Sequence, residues 1–332
     1  MDEFELIARY FAPLAAAEPG ALGLRDDAAV LGLPAGRDLA VTADMLVEGV
    51  HFRADDPPDS LGVKALAVNL SDLASMGAEP RAYLLTLALP ASWPPERRQQ
   101  WLGGFTAGLA GMQEKFGVVL VGGDTVATPG PLALSITAFG TTAPAAALRR
   151  AGARNGDVIW VSGTIGDGAL GLRVLDGRLQ VADPAAGDAL AARYRRPQPR
   201  VALGRRLPGL AHACADVSDG LIADLGHICR ASKVAAILRA AAVPLSPAAA
   251  AAVAGDPALM THVLTGGDDY ELVFTAAPGE SSAILACAAQ SGTPVTVIGD
   301  IVDLPQTGQE PVLVLSPSGD PIDSAAAGWR HF

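Results

Sequence analysis

Short apolar runs that lead into aspartate-bearing segments recur along this chain of 332 residues. Carboxylates are rarely buried unless they are paired or bound to a metal. The pattern therefore predicts a fold that brings carboxylates from several loops to one acidic cleft. The segments are 25–28 (RDDA), 42–44 (TAD), 69–72 (NLSD), 122–125 (GGDT), 216–220 (DVSDG) and 266–271 (GGDDYE). Such a cleft favours Mg²⁺ and phosphate chemistry.

The charge balance excludes some classes of partner. The chain has 24 basic and 35 acidic residues, a formal net charge of −11. This balance argues against nucleic acid and against an anionic membrane surface, because both attract basic patches. The acidic N-terminus lacks the basic and apolar regions of a signal peptide, and no long uncharged apolar run occurs, so we expect a cytoplasmic protein. The three cysteines lack CxxC spacing, which argues against a disulfide framework or a zinc site.

Helical and strand patterns mix in both halves of the chain, which predicts two α+β (mixed α/β) domains. A small-residue segment that contains Pro144 places the boundary near residue 146, giving domains 1–146 and 147–332. The pattern predicts helices at 3–16, 60–76, 94–116, 169–176, 187–207 with a break at 197–199, 219–231 and 279–291. It predicts strands at 39–42, 84–89, 118–121, 132–139, 158–162, 214–217, 237–238, 272–275, 295–298 and 312–315.

Two local motifs allow more than one interpretation. The glycines at 163, 166 and 168 follow a predicted strand, and they indicate either a tight turn or a phosphate-binding turn. Ser218 and Asp219 are typical of a helix N-cap and first turn, but they also suit a ligand site at a helix N-terminus. The chain has neither GxxxxGK[ST] nor GxSxG. Among the histidines only His51 lies close to an aspartate segment, whereas His227 and the others are interpreted as structural or exposed.

The aspartate segments occur in a specific order with other short motifs. These are 26–29 (DDAA), 42–44 (TAD), 49–52 (GVHF), 64–77 (KALAVNLSDLASMG), 122–125 (GGDT), 216–221 (DVSDGL), 267–272 (GDDYEL) and 328–332 (GWRHF). The series closely resembles the thiamine-monophosphate kinase family, from about residue 3 to the last residue. Individual motifs are shared with the wider superfamily of aminoimidazole ribonucleotide synthetases and selenophosphate synthetases.

The resemblance implies a two-domain aminoimidazole ribonucleotide synthetase-like fold and a homodimer that pairs through the N-terminal sheets. It implies ATP-dependent phosphorylation of thiamine monophosphate to thiamine diphosphate, the last step of thiamine diphosphate biosynthesis, by direct in-line transfer assisted by several Mg²⁺ ions. The implied metal set is Asp27, Thr42, Ala43 (through its backbone), Asp44, Asp72, Asp124, Asp216 and Asp219. Of these, Asp44, Asp72, Asp124 and Asp216 would be catalytic. ATP would lie along the N-terminal cleft, facing Gly123, Asp124, Arg150 and Ser218. Thiamine monophosphate would contact His51, Asp268 and Trp329.

Three positions depart from the family pattern. Arg25 is found where the family usually has Gly, Ala43 where it has Ser or Thr, and Asp268 where it has Glu.

Two other functions are weighed against the kinase. A sister ATP-dependent synthetase is expected to use a reactive Cys or Lys near the N-terminus, and residues 1–50 contain neither. A non-catalytic Ca²⁺-binding protein usually places several ligands in one short loop, whereas here the aspartates are dispersed along the chain.

Overall fold

The computed structural model describes residues 3–25, 28–304, 310–316 and 318–322. The chain divides into two compact units, one made of residues 1–73 and 78–145 and the other of residues 74–77 and 146–332. Both units mix helices with a sheet, which confirms the predicted α+β class. No helix in these described ranges is long and apolar enough to cross a membrane.

The first unit is built on a four-stranded sheet with the order β1-β4-β2-β3. Its strands are β1 (Asp38–Val47), β2 (Glu79–Pro90), β3 (Val119–Thr128) and β4 (Ala133–Thr142). Its helices are α1 (Glu3–Leu6), α2 (Ala12–Ala15), α3 (Pro58–Ser75) and α4 (Pro95–Phe116), with a π-helical turn at Ile7–Phe11 and a 3-10 segment at Pro19–Leu24. Strands β2 and β3 run parallel, and α4 supplies the crossover connection that a parallel pair needs.

Glycines allow α3 and α4 to approach closely. A Cβ atom on Gly108 would lie 2.0 Å from the carbonyl oxygen of Asp59, and one on Gly62 would lie 2.2 Å from that of Phe105. Beside this contact, Leu66 and Phe105 are fully buried. The close approach therefore fixes α3, the helix that carries Asn69 and Asp72.

Several predicted strands are longer than the sequence indicated, and in two of them the extra length corrects the position of a motif. Strand β1 continues past Thr42 to Val47, so Asp44 lies inside the strand, paired with Ile136 of β4. The GGDT segment lies within β3 rather than in a turn after it. The β2–β3 register shifts between Tyr83 and Leu84, and this bulge keeps the glycines in the ladder.

The second unit contains a seven-stranded sheet with the order β11-β10-β7-β9-β5-β8-β6. Its strands are β5 (Val158–Ser162), β6 (Ala211–Asp216), β7 (Val234–Arg239), β8 (Leu272–Ala276), β9 (Val295–Asp303), β10 (Val312–Leu315) and β11 (Pro321–Ile322). Its helices are α5 (Asp167–Leu175), α6 (Pro184–Arg195), α7 (Val201–Gly204), α8 (Leu221–Ser232), α9 (Pro247–Gly255), α10 (Leu259–Thr265) and α11 (Ser281–Ser291). Short 3-10 turns lie at Ala240–Ala242 and Pro278–Glu280. The core includes Leu225 and Ile228 of α8 and Val273 of β8, all fully buried.

Candidate functional site

In the first unit, hydrogen bonds join two residues of β1 to two polar side chains of α3. The Thr42 hydroxyl donates a short hydrogen bond to Oδ2 of Asp72. Two residues along the strand, the Asp44 backbone N–H donates to Oδ1 of Asn69 at 3.2 Å. Thr42 and Asp44 share one side of β1 because alternate strand residues face the same way. Asn69 and Asp72 share one face of α3. The structure shows what these two side chains contact.

The loop after β1 orients His51. Its ring Nδ1 accepts a hydrogen bond from the backbone N–H of Val47 at 3.0 Å. In the neutral imidazole the proton must therefore sit on Nε2, which makes this nitrogen a donor. The half-buried ring thus has a fixed tautomer and orientation, as a substrate-contacting histidine needs.

The GGDT segment forms the polar wall of a cavity. The cavity has a volume of about 600 Å³. Apolar residues such as Phe11, Leu84 and Phe139 line most of the rest of it, together with Thr86 and Thr137. Gly123 has a φ of 153°, and a Cβ there would lie 1.8 Å from the carbonyl oxygen of Leu85. Only glycine therefore permits this approach of β3 to β2, and Asp124 follows it as an exposed residue.

The strand order separates two of the predicted metal ligands. Asp44 lies on β1 and Asp124 on β3, the two edge strands, with β4 and β2 between them. Three interstrand steps correspond to roughly 14 Å along the sheet. The first unit thus brings Thr42, Asp44 and Asp72 together and places Asp124 beside the cavity.

In the second unit, the two predicted aspartate segments lie side by side. The backbone N–H of Asp268 donates to the carbonyl of Ser218 at 3.0 Å, and that of Tyr270 donates to Val217 at 2.8 Å. Asp216 is buried at the end of β6, while Ser218 and Asp219 are half-buried. Asp268 has a left-handed φ of 70°, and its Oδ1 accepts from the Tyr270 hydroxyl at 3.3 Å.

The predicted N-cap of α8 is wrong. The helix begins at Leu221 after Gly220, and Ser218 does not cap it. Instead, Oδ2 of Asp224 accepts from the backbone N–H groups of Ser218 and Asp219, both at 3.0 Å, and of Gly220 at 3.2 Å. Burial raises the pKa of Asp224 to about 7; the charge of Asp219 adds to this rise, and the amides and Arg150 oppose it.

Sequence reasoning missed Asp224, and it interpreted His227 as structural or exposed. One carboxylate oxygen each from Asp219 and Asp224 and one ring nitrogen of His227 lie within 4.8 Å of one another. Burial lowers the pKa of His227, and the positive charges of Arg230 and Arg150 lower it further. Arg150, predicted to face the nucleotide, therefore acts on the same cluster as Asp219. The available signal was an acidic residue among apolar neighbours in the first turn of α8.

The glycine turn at 163–168 is occupied by the chain itself. Asp269 is buried and accepts from the backbone N–H groups of Gly166 at 2.7 Å and Gly168 at 3.0 Å. Burial raises the pKa of Asp269 to about 8, against these two hydrogen bonds. The amides are thus unavailable to a phosphate, and the structure favours the tight-turn interpretation.

For three residues of the predicted site, the structure gives no polar side-chain contact. Asp27 and Trp329 lie outside the described residues. Ala43 is exposed on β1 and, with no side-chain oxygen, offers only its backbone carbonyl. Of the other departures from the family pattern, Arg25 immediately follows the 3-10 segment Pro19–Leu24.

The donor set fits a hard divalent cation. The first unit offers a hydroxyl and carboxylate oxygens from Thr42, Asp44 and Asp72, held on β1 and α3. The second offers Asp216 and Asp219 beside the 218–220 turn. Mg²⁺ prefers oxygen ligands of this kind, whereas zinc sites usually contain cysteine or several histidines.

The sequence likeness to known proteins extends over both units. Residues 25–142 match the family model described as AIR synthase related protein, N-terminal domain, and residues 154–308 match the corresponding C-terminal domain. Thiamine-monophosphate kinase from Escherichia coli is 41% identical over 331 residues, which is 99% of this chain and 98% of that protein. This chain belongs to the thiamine-monophosphate kinase family. The family member from Caulobacter vibrioides is 42% identical over 304 residues, covering 91% of this chain and 84% of that protein.

Solved structures of the family share the fold. Thiamine-monophosphate kinase from Stenotrophomonas maltophilia has 43% identity and a TM-score of 0.82, covering 95% of this chain and 96% of that one. A ThiL structure complexed with AMPPCP and TMP has 29% identity and a TM-score of 0.75, with 92% and 91% covered. The hydrogenase maturation protein HypE, at 20% identity and a TM-score of 0.76, shares the fold alone. These comparisons confirm the predicted family and its two-domain fold.

Proposed function

We propose that this protein phosphorylates thiamine monophosphate to thiamine diphosphate with ATP. The observation that carries the proposal is the 41% identity to a thiamine-monophosphate kinase over 99% of the chain. The related ThiL structure holds AMPPCP and TMP, a nucleotide analogue and a monophosphate. The sister synthetases and the Ca²⁺-binding protein have no comparable support. The cytoplasmic location stays a prediction from the sequence.

The cavity beside GGDT supports an ATP site in the first unit. Its volume of about 600 Å³ and its largely apolar lining suit a planar base, with Gly123 and Asp124 at the polar wall. In the second unit, the Ser218 hydroxyl would donate to a phosphate oxygen, and the Arg150 guanidinium would pair with the phosphates as a planar fork.

We assign Mg²⁺ to the predicted carboxylates. Thr42, Asp44 and Asp72, with the backbone carbonyl of Ala43, would hold one ion in the first unit. Asp124, on the opposite edge strand, would hold another, and Asp27 is a further predicted ligand. Asp216 and Asp219 would hold Mg²⁺ in the second unit. When bound, the ions neutralise and align the two phosphate groups. Asn69 keeps the β1 backbone at Asp44 in place by accepting its N–H.

The transfer itself requires no general base from the chain. The phosphate of thiamine monophosphate has a second pKa of about 6, as other phosphate monoesters do, so one of its oxygens is already a nucleophile. That oxygen bonds to the γ-phosphorus of ATP, and the bond from this phosphorus to the β,γ-bridging oxygen breaks. The electron pair leaves with ADP. The chain's task is to position the two phosphates in line.

The acceptor would contact His51, Asp268 and Trp329. His51 would donate from Nε2, since its Nδ1 already accepts from Val47. Asp268 would use the carboxylate that the Tyr270 hydroxyl now contacts. Trp329 would pack against the cationic thiamine ring, an interaction that aromatic rings favour.

We propose that the partner is a second copy of this chain, and that the homodimer forms through the first unit's sheet. Leu39, Val41 and Met45 alternate along the edge strand β1, and they are 46%, 54% and 58% exposed. An edge strand with an apolar row on one face is a surface that a second copy would cover. Val41→Asp should therefore shift the protein to monomer in sedimentation velocity, whereas an unchanged sedimentation coefficient would contradict this interface.

ADP release tests the function directly. Thiamine monophosphate should stimulate ADP formation, whereas thiamine and aminoimidazole ribonucleotide precursors should not. Asp44→Asn should lower turnover about a hundredfold or more, the scale on which loss of one transition-state-stabilising group acts. Asp55→Asn, on an exposed surface carboxylate paired with Arg53, is the matched control and should stay near wild type. ADP release that ignores thiamine monophosphate would refute the proposal.

A further inference from the structure

The backbone N–H groups of the 218–220 turn all donate to one residue, Asp224. It lies in the first turn of α8, is 1% exposed, and one of its oxygens accepts three consecutive backbone N–H groups. Consecutive amides that point to one acceptor form an anion-binding concavity in many phosphate sites. Here the chain's own carboxyl group fills it, so the turn cannot offer these amides to a phosphate.

The turn is held from its other side as well. The Ser218 carbonyl accepts the N–H of Asp268 at 3.0 Å. Gly220 has a φ of 123°, and a Cβ there would lie 2.5 Å from the carbonyl oxygen of Thr265. The backbone of the turn is thus fixed at its amides, at one carbonyl and at its glycine. The side chains of Ser218 and Asp219 are not used in these backbone contacts and are left to face ligands.

We propose that Asp224 is a positioning residue: by accepting the amides of residues 218–220, it aims Ser218 at the nucleotide and Asp219 at the metal. This inference rests on the proposed kinase function and adds a residue to it. Asp224 itself is not assigned as a ligand, because its Oδ2 is already used by the three amides. Residues that orient metal ligands typically change metal affinity about 10- to 100-fold when they are replaced.

Two substitutions separate positioning from simple stability. Asp224→Ala removes the acceptor and leaves three amides without it, whereas Asp224→Asn keeps one oxygen that can accept them. Asp157→Asn is the matched control. Asp157 is also a buried carboxylate of the second unit, and it accepts from the backbone N–H of Arg154 at 2.9 Å.

Two measurements, amide hydrogen exchange and Mn²⁺ binding, need no catalysis. Amide hydrogen exchange of residues 218–220 should be at least about tenfold faster in Asp224→Ala than in wild type, since each amide loses its hydrogen bond. Mn²⁺ binding, followed by electron paramagnetic resonance with a non-hydrolysable ATP analogue, should weaken about 10- to 100-fold. Asp224→Asn should recover most of both losses, and Asp157→Asn should leave the exchange of the turn unchanged.

Steady-state kinetics follow the hydrogen-exchange and Mn²⁺-binding measurements. In Asp224→Ala, the KM for ATP and the Mg²⁺ concentration for half-maximal rate should rise about tenfold or more, with a smaller change in the KM for thiamine monophosphate. If the alanine variant does not fold, Asp224→Asn decides, with several-fold faster exchange and several-fold weaker Mn²⁺ binding expected. A folded variant with wild-type exchange and wild-type Mn²⁺ affinity would overturn the inference. Wild-type protein that binds the nucleotide but releases no ADP with thiamine monophosphate would refute the proposed function alone.

Discussion

Replacing Glu271 should destabilise the second unit more than most single substitutions do. The side chain is fully buried and lies between two arginines. Arg200 donates from Nε to Oε2 at 2.6 Å and also contacts Oε1, and Arg193 donates to Oε1 at 3.1 Å. The Ser162 hydroxyl donates to Oε2 at 2.6 Å. Glu271→Gln keeps the shape of this side chain but removes its negative charge. It also places the amide NH₂ group, which is a donor, against the arginine and serine donors that the carboxylate now accepts from.

The magnitude follows from the charges left behind. Without Glu271, Arg193 keeps Asp167 at 3.7 Å. Among the residues that the structure describes, Arg200 keeps only a weak contact with Gln198 at 3.5 Å. Removing one partner of a buried ion pair costs about 3–5 kcal/mol. In a unit of this size each kcal/mol lowers Tm by about 2–4 °C, so a fall of roughly 6–20 °C is expected.

Differential scanning calorimetry and urea unfolding of the full chain measure this cost. Glu280→Gln is the matched control, because the Glu280 side chain makes no cap hydrogen bond to α11. The double variant Glu271→Gln with Arg200→Met removes both charges and should regain at least about 1 kcal/mol over Glu271→Gln. A Glu271→Gln protein within about 1 kcal/mol of wild type would refute the reasoning.

Two further perturbations test other parts of the fold. Because burial raises the pKa of Asp269 to about 8, the folded state keeps a proton that the unfolded chain loses above about pH 4. Asp269 alone should therefore lower the free energy of unfolding by about 1 kcal/mol per pH unit between its unfolded and folded pKa values. Urea titrations should show a less negative slope in Asp269→Asn than in wild type; equal slopes would contradict it. Gly123→Ala should cost about 1–3 kcal/mol in thermal unfolding and weaken binding of a fluorescent ATP analogue, because its Cβ meets the Leu85 carbonyl. Gly103→Ala, on α4 with nothing within 4 Å of the added Cβ, is its control and should not destabilise.

Local patterns located many elements of the fold. Helix α4 was predicted at 94–116 and spans Pro95–Phe116; it ends there because Gly117 adopts a left-handed conformation. Strands β5 and β10 have the predicted bounds. Helix α9 was missed because its PAAAAAVAG sequence is apolar on every side and has no period to detect. Strand β1 was predicted too short because Asp44 resembles a strand end, whereas pairing with β4 continues beyond it.

The candidate site was only partly accessible from the sequence. The motifs mark the segments that carry Thr42, Asp72, Ser218 and Asp268, but not their partners. The Thr42–Asp72 hydrogen bond joins residues 30 positions apart, and a tertiary contact of this kind leaves no local pattern. Asp224 was missed for a different reason: its acceptor role depends on a backbone turn four to six residues earlier. The roles of the site residues remain predictions for the experiments above.

The turn at residues 163–168 has a practical consequence for protein engineering. Glycine-rich loops between a strand and a helix are attractive templates for grafting affinity toward sulfate or phosphate. In this protein such a graft would fail unless the carboxyl group of Asp269 were first removed, because it already occupies Gly166 and Gly168. Removing it would disturb the neighbouring residue, Asp268, which is predicted to contact thiamine monophosphate. A designer would therefore gain affinity for sulfate or phosphate at the expense of the predicted substrate contact.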